Sequence, residues 1–446
     1  MYLRISSNGS IRIAFGLLGL AGLALAQTDP GVRAGAAGAG ASITGLTLKE
    51  RKFFASGQDQ FSEVQSVTGS VPNTESGLGP RFNLDSCAGC HAFPAIGGSS
   101  PRINPQISVA PSSQVNLLMI LNIISSNGPV REARFKSDGG VHDLFTIAGR
   151  SDTPAGCVIS QPDFATHVGT GDVIFRIPTP VFGAGLIEAI SDSTIAANEA
   201  AAKPFGITGH ANRNGNDGTI SRFGWKAQNK SLVIFAGEPY NVEQGITNEL
   251  FPDERGESGV QDPLPCRAMP AAQDHTHYEL TQPQQVPGDT IAFGSFMRFL
   301  APPTAVSSYG SVTAASINNG RTQFGIAGCT GCHMPSLPTG RHDTAALANT
   351  SANLYSDLLV HNMGVLGDGI AQGAAGPNEF RTAPLWGLGQ RVFFLHDGRT
   401  SDLNSAIQSH AAGGTDPGSE ANAVIINFNG LSIGNKQDLL NFLRSL

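Results

Sequence analysis

Two pentapeptides hold the residues best suited to chemistry: Cys87-Ala88-Gly89-Cys90-His91 and Cys329-Thr330-Gly331-Cys332-His333. Cys-x-x-Cys-His is the pattern that attaches a c-type haem. The two thiols add across the vinyl groups of the porphyrin, and the adjacent histidine supplies an axial nitrogen to iron. A lone Cys-x-x-Cys also serves thiol exchange or zinc binding. Two copies, each followed directly by histidine, point instead to two covalently bound haem c groups, with His91 and His333 as proximal ligands.

The second axial position on each iron decides the chemistry. A protein ligand there gives an electron-transfer centre, whereas an open position admits peroxide or dioxygen. For the second haem, Leu403, Ala406, Ile407 and His410 fall on one face of a helix opening at Asp402, which directs His410 into a core. A buried structural histidine would show the same pattern, and His361, Met363 and Met334 compete for the role. Near the first motif no second ligand is evident. His142, Glu132, Glu188 and Glu243 are acid–base candidates there, although each residue type is as often structural. Trp225 is one of two tryptophans; it is either core or a bridge between redox centres.

These side chains need elements to place them. Thr47 and Glu50 form a capping box for a helix bearing Phe53, Phe54 and Phe61. Helical character continues at 113–124, around Phe182–Glu188, at 288–302 and at 436–445. The 55 Gly and 27 Pro imply long irregular connections. The expected fold is therefore mainly α: two cytochrome c-like haem domains with long irregular loops and a connecting region. The expected boundaries are a signal peptide at 1–26, a flexible lead-in at 27–45, an N-terminal haem domain at 46–204, a connecting region at 205–290 and a C-terminal haem domain at 291–446.

Arg4 and Arg12, the apolar run Ile13–Leu23 and the small residues Ala24-Leu25-Ala26 read as an export signal, giving a periplasmic protein with no stable membrane span after cleavage. Asp and Glu number 35 against 28 Lys and Arg; with no basic stripe, nucleic acid is not an expected partner. Of six cysteines, Cys157 and Cys266 lie outside the haem motifs. They either pair as a disulfide in an oxidising compartment or stay apart as buried thiols.

The chain resembles the bacterial di-haem oxidoreductases related to di-haem cytochrome c peroxidases, in a branch labelled "thiol oxidoreductase" that is also similar to di-haem rubber oxygenases. The resemblance rests on CAGCH with PAIGGSSP, NGPVREARF, FGAGLIEAI, RFGWKAQNKSLVIF, GCTGCHMPSLPTG and PLWGLGQRVFFLHDGRTSDLNSAIQSH. It implies that His410, fourteen residues after the His396 of HDG, is the distal ligand of the second haem, where the peroxidases usually carry Met. It also implies that Trp225 bridges the haems and that Glu243 is the distal acid of a catalytic first haem, with Tyr240 beside it. The spacing from Trp225 to Glu243 is slightly shorter than in the peroxidases. Two departures stand out. Ile107 occupies the position where the peroxidases hold an additional histidine, which implies an open first haem. Arg391-Val392-Phe393 replaces their calcium-binding Thr-x-Pro, so calcium is not implied.

The function expected from the resemblance is a peroxidase-like oxidoreductase in which electrons from a donor protein or small molecule reach peroxide or dioxygen. The alternatives are an oxygenase cleaving an organic substrate and a non-enzymatic di-haem carrier. Literal thiol oxidation is weakly supported, since the two spare cysteines form no Cys-x-x-Cys pair.

Overall fold

The computed structural model describes residues 27–267, 272–278, 285–411 and 418–446. The signal-peptide reading of 1–26 lies outside the described residues. Helix occupies 34% of the structure and strand 12%, so the expectation of a mainly α fold is corrected to a mixed one. The reason lies in the Gly/Pro-punctuated connections. Their backbone N–H and C=O groups still need partners, and they find them in short ladders, most of them two residues long. The exceptions are the three-residue ladder of Val360–Asn362 with Glu379–Arg381 and a three-stranded antiparallel sheet with Glu132–Phe135 at its centre, flanked by Val141–His142 and Val173–Arg176.

The anticipated helices form. Leu48–Ser62 begins at the Thr47/Glu50 capping box and buries Phe54 and Phe61, leaving Phe53 exposed. Those two phenylalanines meet Phe296 of the helix Asp289–Phe299 at centroid distances of 5.5 and 4.9 Å. Leu232–Gln244 runs beside the same helix, with Tyr240 set edge-on to Phe293 at 5.0 Å. In the C-terminal part, Ala314–Ala327 packs on Ile433–Ser445 through Phe324 and Phe442 at 5.6 Å.

The stretch expected to be a flexible lead-in has no helix or strand but is tied down. Arg33 N–H donates to the Gly389 carbonyl (2.8 Å), Ile43 N–H to that of Phe299 (2.7 Å), and Asp29 pairs with Arg444. The largest apolar cluster draws residues from 46–204, 205–290 and 291–446 alike. Cys157 and Cys266 are joined as a disulfide, closing a loop between residues 109 positions apart. No helix among the described residues is long and apolar enough to cross a membrane.

Candidate functional site

Each pentapeptide lies on a tight turn. Cys87–Cys90 is a single helical turn, and His91 N–H closes it onto the Cys87 carbonyl at 3.0 Å. Cys329–Gly331 follows Gly328, whose left-handed φ of 96° ends the preceding helix, and His333 N–H reaches the Cys329 carbonyl at 2.9 Å. The four thiols are unpaired. Burial pushes Cys87 and Cys329 up to about 12 and Cys90 well above its ordinary value, so those thiols stay protonated.

Each turn opens onto its own cavity. The first has a volume of about 150 Å³; Cys87, Cys90 and His91 line it together with Glu132, Arg134, Trp225, Tyr240 and Glu243. The second, about 210 Å³, is lined by Cys329, Cys332, His333 and His410 within a mostly apolar wall. Trp225 lines both cavities. Its Nε1–H donates to the Ile177 carbonyl at 2.9 Å, and its ring meets His396 edge-on at 6.4 Å.

Three cavity histidines share one arrangement. Nδ1–H of His91 donates to the Gly98 carbonyl (3.0 Å), that of His333 to Tyr355 (2.9 Å) and that of His410 to Ala406 (2.8 Å). A carbonyl only accepts, so Nδ1 carries the proton and Nε2 keeps its lone pair, as an iron ligand requires. Burial holds His91 and His333 down to about 4 and lowers His410 as well, so the rings are neutral. The helix preceding His410 is shorter than expected: Leu403–Gln408, capped by Asp402, with His410 in the turn beyond. The expected face persists nonetheless, since Leu403, Ala406, Ile407 and His410 all line the cavity.

The competing ligands sort differently. His361 is clamped between Asp357 (3.0 Å) and Glu420 (2.9 Å). Burial opposes protonation, but Asp357, the Cys332 sulfur and Glu420 together raise it to about 11, and a doubly paired imidazolium has no lone pair to offer. Met363 lines the second cavity, and Met334 packs against the main core.

In the first cavity, strand alternation puts Glu132 and Arg134 on the cavity side and buries Ala133 and Phe135. Glu132 pairs with Arg134. Glu243 comes from the C-terminal end of Leu232–Gln244, where Gly245 takes the left-handed conformation (φ 69°) that stops the helix. The chain at 79–83 docks on this end: Gly79 N–H donates to the Gln244 carbonyl (2.9 Å) and Asn83 N–H to that of Glu243 (2.7 Å). Asn83 Nδ2 also donates to Glu243 Oε2 at 3.0 Å. Burial, then the neighbouring Glu132 charge and a hydrogen bond with it, push Glu243 well above the carboxylate range. Glu132 goes the other way: burial opposes ionisation, but Arg134 and Arg176 outweigh it. The pair holds one proton on Glu243 and one charge on Glu132.

Tyr240 lines the same cavity, but its hydroxyl donates to Asp289 Oδ2 at 2.8 Å. Glu188 is elsewhere, paired with Arg298 at 2.6 Å, and His142 binds Glu257 and Asp138. Sequence reasoning named Glu132 but missed its pairing with Glu243, which lies 111 positions further on. The local NGPVREARF string gives no sign of that partner.

Comparison with known proteins fits this geometry. The profile described as "Di-haem oxidoreductase, putative peroxidase" matches residues 137–446, which include the second pentapeptide and follow the first. No curated protein matches the chain. Among solved structures, hydrazine synthase from Kuenenia stuttgartiensis, pressurised with 20 bar xenon, is similar at a TM-score of 0.37 and 12% identity over 100% of both chains. A likeness that loose bears on neither fold nor function. The profile match spans more than half of the sequence, and the chain belongs to the di-haem oxidoreductase family.

Proposed function

We propose that this protein is a di-haem c-type peroxidase in which the first cavity is the reaction site and the second an electron relay. The family implies haem, and both cavities suit it: paired thiols and a neutral histidine with a free Nε2, set in a mostly apolar lining. Cys87, Cys90 and His91 would hold one group, and Cys329, Cys332, His333 and His410 the other. Bound there, haem supplies a redox-active iron that exchanges electrons with peroxide.

The chain's own residues supply protons, positioning and a path. Glu243 holds a proton inside the first cavity, where peroxide reduction consumes protons, and acts as general acid. Glu132, held by Arg134, keeps that proton on Glu243. Asn83 fixes the Glu243 carboxyl in place. Trp225 gives the two cavities a shared aromatic wall across which electrons pass. Tyr240, committed to Asp289, positions the helix that bears Glu243.

The observation that carries the reading is the asymmetry between the cavities. Four histidines line the second: His333 and His410 with Nδ1 tied to a carbonyl and Nε2 free, His396 neutral and stacked on Phe380, and His361 paired with two carboxylates. Among the described residues, His91 is the only histidine lining the first, where it shares the space with a carboxyl pair. The carboxyl pair and its arginines support proton handling in the first cavity, within a lining that is otherwise mostly apolar. Export to the periplasm is supported by the N-terminal apolar run and by the Cys157–Cys266 disulfide.

The test is Glu243→Gln. Peroxide turnover is expected to fall by roughly 10²–10⁴-fold, the usual worth of a general acid, with haem content unchanged. An unaltered rate removes Glu243 from the mechanism.

A further inference from the structure

Buried arginines in this protein normally have an acid beside them: Arg81 has Asp262, Arg176 has Asp368, Arg222 has Asp192 and Arg444 has Asp29. Among the described residues Arg33 has none, and neither do two guanidinium groups that line the second cavity together. Arg381 closes the strand Glu379–Arg381. Its backbone N–H donates to the Trp225 carbonyl at 2.9 Å and its Nε–H to that of Gly224 at 3.0 Å. Its Nη1 is buried with no partner. Arg391 has no carboxylate partner among the described residues; burial alone pulls it down to about 10. Burial, and then the neighbouring Arg391 charge, pull Arg381 to about 10 as well.

Two neighbouring half-buried cations without an anion are costly twice over, through desolvation and through mutual repulsion. Such a place is complete only when an anion enters. Two guanidinium forks match two carboxylates, which each can grip in bidentate fashion. Location narrows the choice. Both arginines line the second cavity, together with Cys329, Cys332 and His333, and neither lines the first. Both also line a smaller adjoining cavity that Trp225 shares.

We infer that Arg381 and Arg391 bind the two propionate carboxylates of the haem held by Cys329, Cys332 and His333, and so turn the carboxylate edge of that group towards Trp225. This rests on the second cavity being a haem site. The arrangement has a redox consequence. Cations beside the propionates offset negative charge near the iron and favour the reduced form, so they raise the potential of the second haem.

The experiment uses the haem-loaded full chain carrying Arg381→Gln, Arg391→Gln, both together, or Arg381→Lys. Mass spectrometry of the proteolytic peptide containing Cys329 and Cys332 first establishes whether haem is attached there. Its absence from the unsubstituted protein overturns both the haem-site reading and this inference. With haem present, potentials of the two haems are read by spectroelectrochemical titration across pH. The second haem's potential is expected to fall in each Gln variant and further in the double one. It also gains a pH dependence near neutrality as the freed propionates take up protons. Arg381→Lys keeps most of the original potential, and the first haem is unmoved. Should the double variant fail to mature, the single variants make the same comparison. An unchanged second-haem potential, or a shift confined to the first haem, overturns the arginine assignment while leaving the haem site standing.

Discussion

Glu243 can act as an acid only if it still carries its proton at neutral pH. Burial alone would protonate both members of the carboxyl pair; Arg134 beside Glu132 breaks the tie. The same network reaches Asp143, which accepts from Asn83 Nδ2 at 3.3 Å. Burial pushes Asp143 up to about 7, with Arg255, Arg81 and His142 opposing and Glu257 assisting. The fold therefore prefers neutral Asp143. Its contribution is present in full below the unfolded value near 4 and is lost as pH rises through about 7, worth at most about 4 kcal/mol. Thermal unfolding of the holoprotein is expected to shift to lower temperature between pH 5 and pH 8, and Asp143→Asn to flatten that fall. An unchanged slope in the variant contradicts the assignment. For His410, replacement by Ala is expected to convert the second haem from low to high spin; an unaltered absorption spectrum sends the search to Met363. Local spacing was enough to put His410 on one face with Leu403, Ala406 and Ile407, and all four line the second cavity; its role as a ligand was implied only by the resemblance. The Glu132–Glu243 pair was not legible in the sequence, because it exists only after a strand and a helix far apart in sequence are brought to one cavity.

Helix packing sets the position of the second pentapeptide. Ala314–Ala327 leads directly into Cys329, and Phe324 faces the His333 ring at 6.2 Å. The helix lies so close to Ile433–Ser445 that a Cβ at Gly320 would sit 1.9 Å from the Asp438 carbonyl oxygen and 2.7 Å from the Phe442 Cβ. Gly320→Ala must push the helices apart, at a cost of about 1–3 kcal/mol. Gly325→Ala, in the same helix with nothing within 4 Å of the added Cβ, should instead stabilise by roughly 0.5–1 kcal/mol. Paired thermal melts of the two variants check this, and equal shifts would contradict it. The helix begun by Thr47 and Glu50 announced itself through its cap, and Ile433–Ser445 through its periodicity, whereas Ala314–Ala327 and Leu232–Gln244 were not among the expected helices. The strands gave no such signal. With most of them two residues long, alternation cannot be read, and their register comes from distant partners such as Glu132 with Arg176. This is why a mixed fold reads as mainly helical in the sequence.

At the scale of the molecule, two cavities are built on one motif and finished differently. The second is lined by His333 and His410, each with a free Nε2, in an apolar wall; the first has a proton-holding carboxyl pair; Trp225 lines both. The central claim is that this difference makes one haem open and the other closed. Low-temperature electron paramagnetic resonance of the oxidised, haem-loaded protein tests it most directly. The account predicts one high-spin ferric signal beside one low-spin signal of bis-histidine type, with only the low-spin signal lost in His410→Ala. Two low-spin signals in the unsubstituted protein would contradict it and turn attention to Met297, whose side chain also lines the first cavity.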